Sequence, residues 1–102
     1  MNILHLIAQD SFIMTSKSLI KFFGLYEANI IGLFASVSNY NDQINPNADG
    51  WFYVTYDRIK EELNLTEDKA EKPIKNLIDS KILMVKKEGI PYRKYFKFNN
   101  EN

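Results

Sequence analysis

Six cations fall between residues 81 and 97, namely Lys81, Lys86, Lys87, Arg93, Lys94 and Lys97, and Glu88 is the only acid among them. Ammonium and guanidinium groups at this density suit phosphate: they donate charge-assisted hydrogen bonds to anionic oxygens and attract them from beyond contact. Lys86, Lys87, Arg93 and Lys94 flank the turn-forming sequence Glu88-Gly89-Ile90-Pro91, which places them on the two arms of a hairpin. A second set, Lys69, Lys72, Lys75 and Asn76, recurs at the three- and four-residue spacing of a helix face. There the lysines suit phosphate or guanine, and the asparagine suits adenine. Asp68 and Asp79 are interspersed with them and oppose a phosphate field. The same residues have a plainer reading, in which hairpin lysines discourage edge-to-edge aggregation and the helix shows an ordinary solvated face of mixed charge.

Other chemistries lack their residues. The chain has no cysteine, which removes disulfides and thiolate metal sites. His5 is the one histidine, set among apolar residues, and has no second imidazole to complete a transition-metal site. Glu61 and Glu62 have no opposing carboxylate cluster, Ser16 and Ser18 have no paired base, and Gly24 and Gly32 form no phosphate-cradling loop. Neither an active site nor a cofactor, metal or small-molecule substrate is expected. Trp51 and Tyr53 invite base stacking, but the preferred reading is that their strand helps to close the core.

The elements that must position the cations follow from apolar spacing. A short helix is expected from Lys17 to Phe23, capped by Thr15 or Ser16, burying Leu19, Ile20, Phe22 and Phe23 and ending in a left-handed Gly24. Before it, residues 3–7 suit a strand or a helical turn, and residues 12–14 an extended segment. A longer helix spans residues 26–40, with Ile30, Leu33, Phe34 and Val37 as its inner stripe, widened by Ala28 and Ile31. Residues 41–50 are rich in turn formers and read as a loop. Residues 51–54 suit a strand. Thr55 then caps a helix whose inner face is Tyr56, Ile59 and Leu63. Asn64 stops that helix and Leu65 plugs the turn. Thr66 caps the next helix, which buries Ala70, Ile74, Leu77 and Ile78. With Ile74 inward, Lys69, Lys72, Lys75 and Asn76 point outward. Pro73 either kinks this helix or belongs to the first turn of one beginning near Glu71; the shared phase of Ala70 with Ile74, Leu77 and Ile78 favours the kink. Two strands close the chain, over residues 82–87 and 92–98. The second places Tyr92, Lys94, Phe96 and Phe98 on one side and Arg93, Tyr95 and Lys97 on the other. A frayed tail, residues 99–102, follows.

With 102 residues, 45% apolar and 25% charged, the chain has the size and composition of one globular domain. Net charge is zero, yet residues 1–50 carry two lysines against four acids, so the positive charge is concentrated near the end of the chain. No basic leader and no apolar run of membrane-spanning length is visible, and the missing cysteines fit a reducing compartment; a cytoplasmic protein with no membrane contact is expected.

A strand, two short helices separated by a tight break, and two strands around a glycine-proline turn form the order of a winged helix-turn-helix. The expected class is therefore α+β, with a winged-helix core over residues 25–98 and an N-terminal extension, helical and with room for a strand, over residues 1–24. Two segments, GLYEANIIGLF and DGWFYVTYDRIKEELNLTEDKAEKPIKNLIDSKILMVKKEGIPYRKYFKF, carry a resemblance. They resemble the N-terminal winged-helix domain of replication proteins from phages and plasmids of low-GC bacteria, including replisome organisers and DnaD-type primosomal proteins. The shared features are the GL-x-EA opening of the long helix, the aromatic strand after a glycine, the Leu65-Thr66 start of the second helix, and the glycine-proline wing followed by tyrosine. The chain departs from such domains at Lys81, where a glycine is usual, and in carrying Glu67, Glu71 and Pro73 along the helix. The resemblance implies a double-stranded-DNA-binding module in replication initiation. In it the wing residues Lys86, Lys87, Arg93 and Lys94 hold the backbone, and Lys69, Lys72, Lys75 and Asn76 approach the groove. It also implies self-assembly, for which the apolar stretch of residues 1–23, from Met1 to Phe23, is the expected interface. The alternatives are a homo-oligomerisation or partner-docking module without DNA contact, and a small transcription regulator.

Overall fold

The structure, a computed structural model, describes residue 13 and residues 15–99. His5, the strand or turn expected over residues 3–7, the extended residues 12 and 14, and the tail beyond Asn99 lie outside the described residues. Within them the chain is α+β, with four α-helices and a three-stranded antiparallel sheet.

Ser16 starts helix α1, Lys17–Phe23, by accepting the Leu19 N–H on its Oγ at 3.4 Å. The expected buried set on α1 is found only in part: Leu19, Ile20 and Phe23 are half-buried, with Phe23 packed on the core. None of its residues is fully buried, and Phe22 is 81% exposed. Among the described residues its main neighbour is α2, and one such neighbour covers only a narrow stripe. Gly24 joins the two helices at φ +110 and ψ 167, a positive φ but not the left-handed helical well expected of it. A β-carbon there would meet the Glu27 carboxylate at 2.9 Å.

Helix α2, Leu25–Ile44, runs through the centre and buries Ala28, Ile30, Leu33, Phe34 and Val37, the stripe its spacing predicts. It continues past Tyr40 through four residues expected to be loop. Helix geometry survives there because the Asn41 carboxamide donates to the Trp51 carbonyl at 2.9 Å, so this turn formers' segment finds its partner outside the helix. Pro46 ends it by forcing Asn45 out of helical conformation, and a 3-10 turn, Pro46–Ala48, leads to the sheet.

Strand β1 is short, Phe52–Tyr53. Thr55 Oγ1 accepts from Arg58 N at 3.1 Å and starts α3, Tyr56–Leu63, which Asn64 terminates in the left-handed well at φ 57. Leu65 is buried in the turn to α4, Glu67–Asp79. This helix is continuous through Pro73, so a start near Glu71 is excluded. Its end is a Schellman motif: Ile82 N–H reaches Leu77 O and Lys81 N–H reaches Ile78 O, with Lys81 itself at φ 64.

Strands β2, Leu83–Glu88, and β3, Arg93–Phe98, form the hairpin, and β1 adds to the far edge of β3, giving the order β1-β3-β2. One sheet face presents Phe52, Leu83, Phe96 and Phe98 to the helices. Phe34 meets Phe52 edge-on at 5.6 Å and Phe96 at 5.0 Å, so the centre of α2 and the centre of the sheet share one aromatic cluster. Among the described residues no helix is long and apolar enough to cross a membrane.

Candidate nucleic-acid interface

The strand register decides what the hairpin cations can do. Successive residues point to opposite sides. Hence Lys87 and Lys94, which are Cα partners, share the helix-facing side with Val85 and Phe96. Lys86 and Arg93 lie on the other side, facing Tyr95 and Glu88 respectively. The four wing residues nominated from the sequence therefore form two pairs on two faces rather than one cluster.

The two pairs differ in compensation. On the outer side Arg93 is directly opposite Glu88, and the Lys86 ammonium is 3.1 Å from the Glu88 carboxylate. On the helix-facing side Lys87 and Lys94 are direct neighbours of like charge, an arrangement that costs stability. Among the described residues neither has an acidic partner; Lys94 Nζ lies 5.6 Å from the centre of the Tyr56 ring on α3. Beside it a cleft of about 270 Å³ separates the hairpin from α3 and α4, lined by Tyr56, Ile59, Ile74, Tyr92, Lys94 and Phe96. Ile90 and Tyr92 project from the hairpin end into solvent.

Helix α4 presents a weaker surface. Ala70, Pro73, Ile74 and Leu77 are buried, so burial of Pro73 turns the inward direction away from Ile74 toward Leu77. At 3.6 residues per turn, the point opposite is then occupied by Asp68, Lys72, Lys75 and Asp79, with the acids central rather than interspersed. Lys69 and Asn76 move to a flank. Asn76 Nδ2 donates to Glu27 Oε1 on α2 at 3.2 Å, which engages the carboxamide expected to read adenine. Glu67 and Asp68 already occupy the first turn, where the helix dipole would otherwise favour a phosphate.

The strand of Trp51 and Tyr53 does help to close the core, but through the residues between and after them rather than through these two rings. Phe52 and Val54 do so, at 1% and 5% exposure, whereas Tyr53 is 40% exposed and Trp51 half-buried on the outer sheet face. The run Trp51-Phe52-Tyr53-Val54 alternates, and pairing of Phe52 with Phe96 fixes its phase. Around the two outer rings lie Tyr95, Lys86, Lys97 and Arg93, of which Tyr95 and Lys97 were not nominated as binding residues from the sequence. The period-2 pattern of residues 92–98 was the signal for them, since it sets Arg93, Tyr95 and Lys97 on one side.

Among the described residues no group of three or more histidine, cysteine or acidic side chains could hold a metal ion. Comparison with protein-family models, curated proteins and solved structures finds no match for this chain.

Proposed function

We propose that this chain is a double-stranded-DNA-binding module of winged helix-turn-helix type, acting in replication initiation of a phage or plasmid, with the β2–β3 hairpin as its phosphate clamp. The element order from β1 to β3 supports the fold reading, with α3 and α4 as the helix pair and the hairpin as the wing. The motifs shared with replication proteins of phages and plasmids support the biological setting.

One observation carries the reading: Lys87 and Lys94 are held side by side across the hairpin with no carboxylate to neutralise them. Such a pair is unfavourable in the free protein and becomes favourable when an anion lies across it. Phosphates spaced along a duplex backbone supply that anion. Contacts of this kind position a duplex without reading its sequence. In this reading α4 lies along the groove, with Lys72 and Lys75 at phosphates and its acids limiting its grip.

The test is fluorescence anisotropy of a labelled duplex at two salt concentrations, with the Lys86/Lys87/Arg93/Lys94→Ala variant alongside. Affinity that falls with salt, and falls less steeply in the variant, is the expected result. Absence of binding at low salt would refute it.

A second reading has its own observation. Phe22, Leu25 and Tyr26 expose large apolar surfaces where α1 meets α2, at 81%, 56% and 49%. Exposed apolar groups that cluster mark contact surfaces, and here the occupant proposed is a second copy of this chain. Sedimentation at micromolar concentration tests it: a dimer that Phe22→Ser dissociates supports the reading, and a strict monomer removes it.

A further inference from the structure

The outer face of the sheet carries a set of aromatic rings that duplex binding by the wing does not use. Three rings share it. Tyr53 and Tyr95 are cross-strand partners with centroids 5.7 Å apart, and Trp51 follows two residues before Tyr53 on the same side. Each ring has a cation against it. Lys86 Nζ is 4.5 Å from the centre of Trp51 and 5.9 Å from that of Tyr95, Lys97 Nζ is 5.9 Å from Trp51, and the Arg93 guanidinium is 5.4 Å from Tyr53. Between this face and the end of α2 is a depression of about 310 Å³, whose lining includes Trp51, Tyr53, Tyr95, Lys86, Glu88 and Asn45. Its size is at the lower end of small-ligand pockets.

We infer that this face binds single-stranded nucleic acid, with unpaired bases stacked on Trp51, Tyr53 and Tyr95 and the backbone held by Lys86, Arg93 and Lys97. Stacking rings beside cations are the two components that hold a single strand, because every base offers a π-face and every nucleotide a phosphate. A duplex cannot use the rings, since its bases are stacked on one another. The acids nearby are Asp49, 3.6 Å from Lys97, and Glu88, 3.1 Å from Lys86. Both pairs are at the surface, where such contacts are weak and a phosphate can replace the carboxylate. Lys86 now covers the Trp51 ring; a base stacks more strongly there than an exposed ammonium does, and the lysine is long enough to move aside to the backbone. This inference goes beyond the duplex reading and does not rest on it, because the uncompensated pair Lys87 and Lys94 is on the opposite side of the hairpin.

Trp51 is the single tryptophan of the chain, so its emission reports on the site directly. The probe is an oligothymidylate of about twelve nucleotides, with an oligouridylate and an abasic strand of equal length as further arms. The expected result is quenching of Trp51 by the oligothymidylate, little or none by the abasic strand, and retention by Lys87/Lys94→Ala. Quenching by the oligouridylate extends the site to RNA. In anisotropy with labelled oligothymidylate, Tyr53→Ala/Tyr95→Ala loses at least about tenfold in affinity, while Tyr53→Phe/Tyr95→Phe, which keeps the rings, stays near wild type and guards against misfolding. Unchanged Trp51 emission at strand concentrations that saturate known single-strand binders, or equal binding of the abasic strand, would overturn the inference. Quenching by the single strand without any duplex binding would leave it standing while the duplex reading fails.

Discussion

Helix α4 and the β2–β3 hairpin are the two elements a winged helix would bring to DNA, and in this chain they are built in opposite ways. The helix carries four acids, Glu67, Asp68, Glu71 and Asp79, against three lysines, Lys69, Lys72 and Lys75. The hairpin carries Lys86, Lys87, Arg93, Lys94 and Lys97 against Glu88 alone. The helix supplies Ala70, Pro73, Ile74 and Leu77 to the core, whereas the hairpin's distal half supplies little but charge. Packing and charge are thus divided between the two elements: α4 contributes side chains to the core, and the hairpin contributes the positive field. A chain of zero net charge can thus concentrate cations on one element, because the compensating acids lie on others.

The comparison can be broken at its foundation first. Phe34 is fully buried and touches both Phe52 and Phe96, so it seats the hairpin on the core. Phe34→Ala is expected to cost about 3–5 kcal/mol, read from urea unfolding, and to remove hairpin binding with it. Leu77 is fully buried in α4 on the helix side, and Leu77→Ala is expected to cost about 2–5 kcal/mol in the same assay. Thr55→Ala removes the cap that starts α3 and should cost about 1 kcal/mol. Lys81→Gly should stabilise by about 0.5–1 kcal/mol, because Lys81 holds a positive φ that glycine adopts without a steric penalty. The smallest effect is expected from Asn76→Ala. Its exposed contact with Glu27 is worth less than about 0.5 kcal/mol, and duplex affinity should be unchanged across sequences; a loss confined to sites containing adenine would restore Asn76 as a base reader.

Most features set by neighbours close in sequence were legible, though Gly24 is not in the left-handed helical well and Thr66 starts α4 without a side-chain bond. The α2 stripe of Ile30, Leu33, Phe34 and Val37, the Thr55 cap and the Asn64 stop are all set within one or two helical turns, and each occurs as spacing predicts. Features set by distant partners were not legible. The end of α2 depends on a bond from Asn41 to Trp51 O, ten residues away. The outward direction of α4 depends on burial of Pro73, which its sequence marks only as a disruption. Trp51, Phe52, Tyr53 and Val54 are all suited to a core, and only pairing of Phe52 with Phe96 assigns the inward pair. At the candidate site the cations themselves were plain in the sequence, but their division into a compensated and an uncompensated face required the register that places Lys87 opposite Lys94.

In the proposed function the hairpin, and within it the Lys87 and Lys94 pair, holds the duplex rather than α4. Anisotropy of one labelled duplex across a salt series should compare Lys87/Lys94→Ala with Lys69/Lys72/Lys75→Ala. The hairpin variant is expected to lose more affinity although it removes fewer charges, and its log–log salt slope to become shallower by about two. A larger loss in the helix variant, with the hairpin variant near wild type, would contradict it.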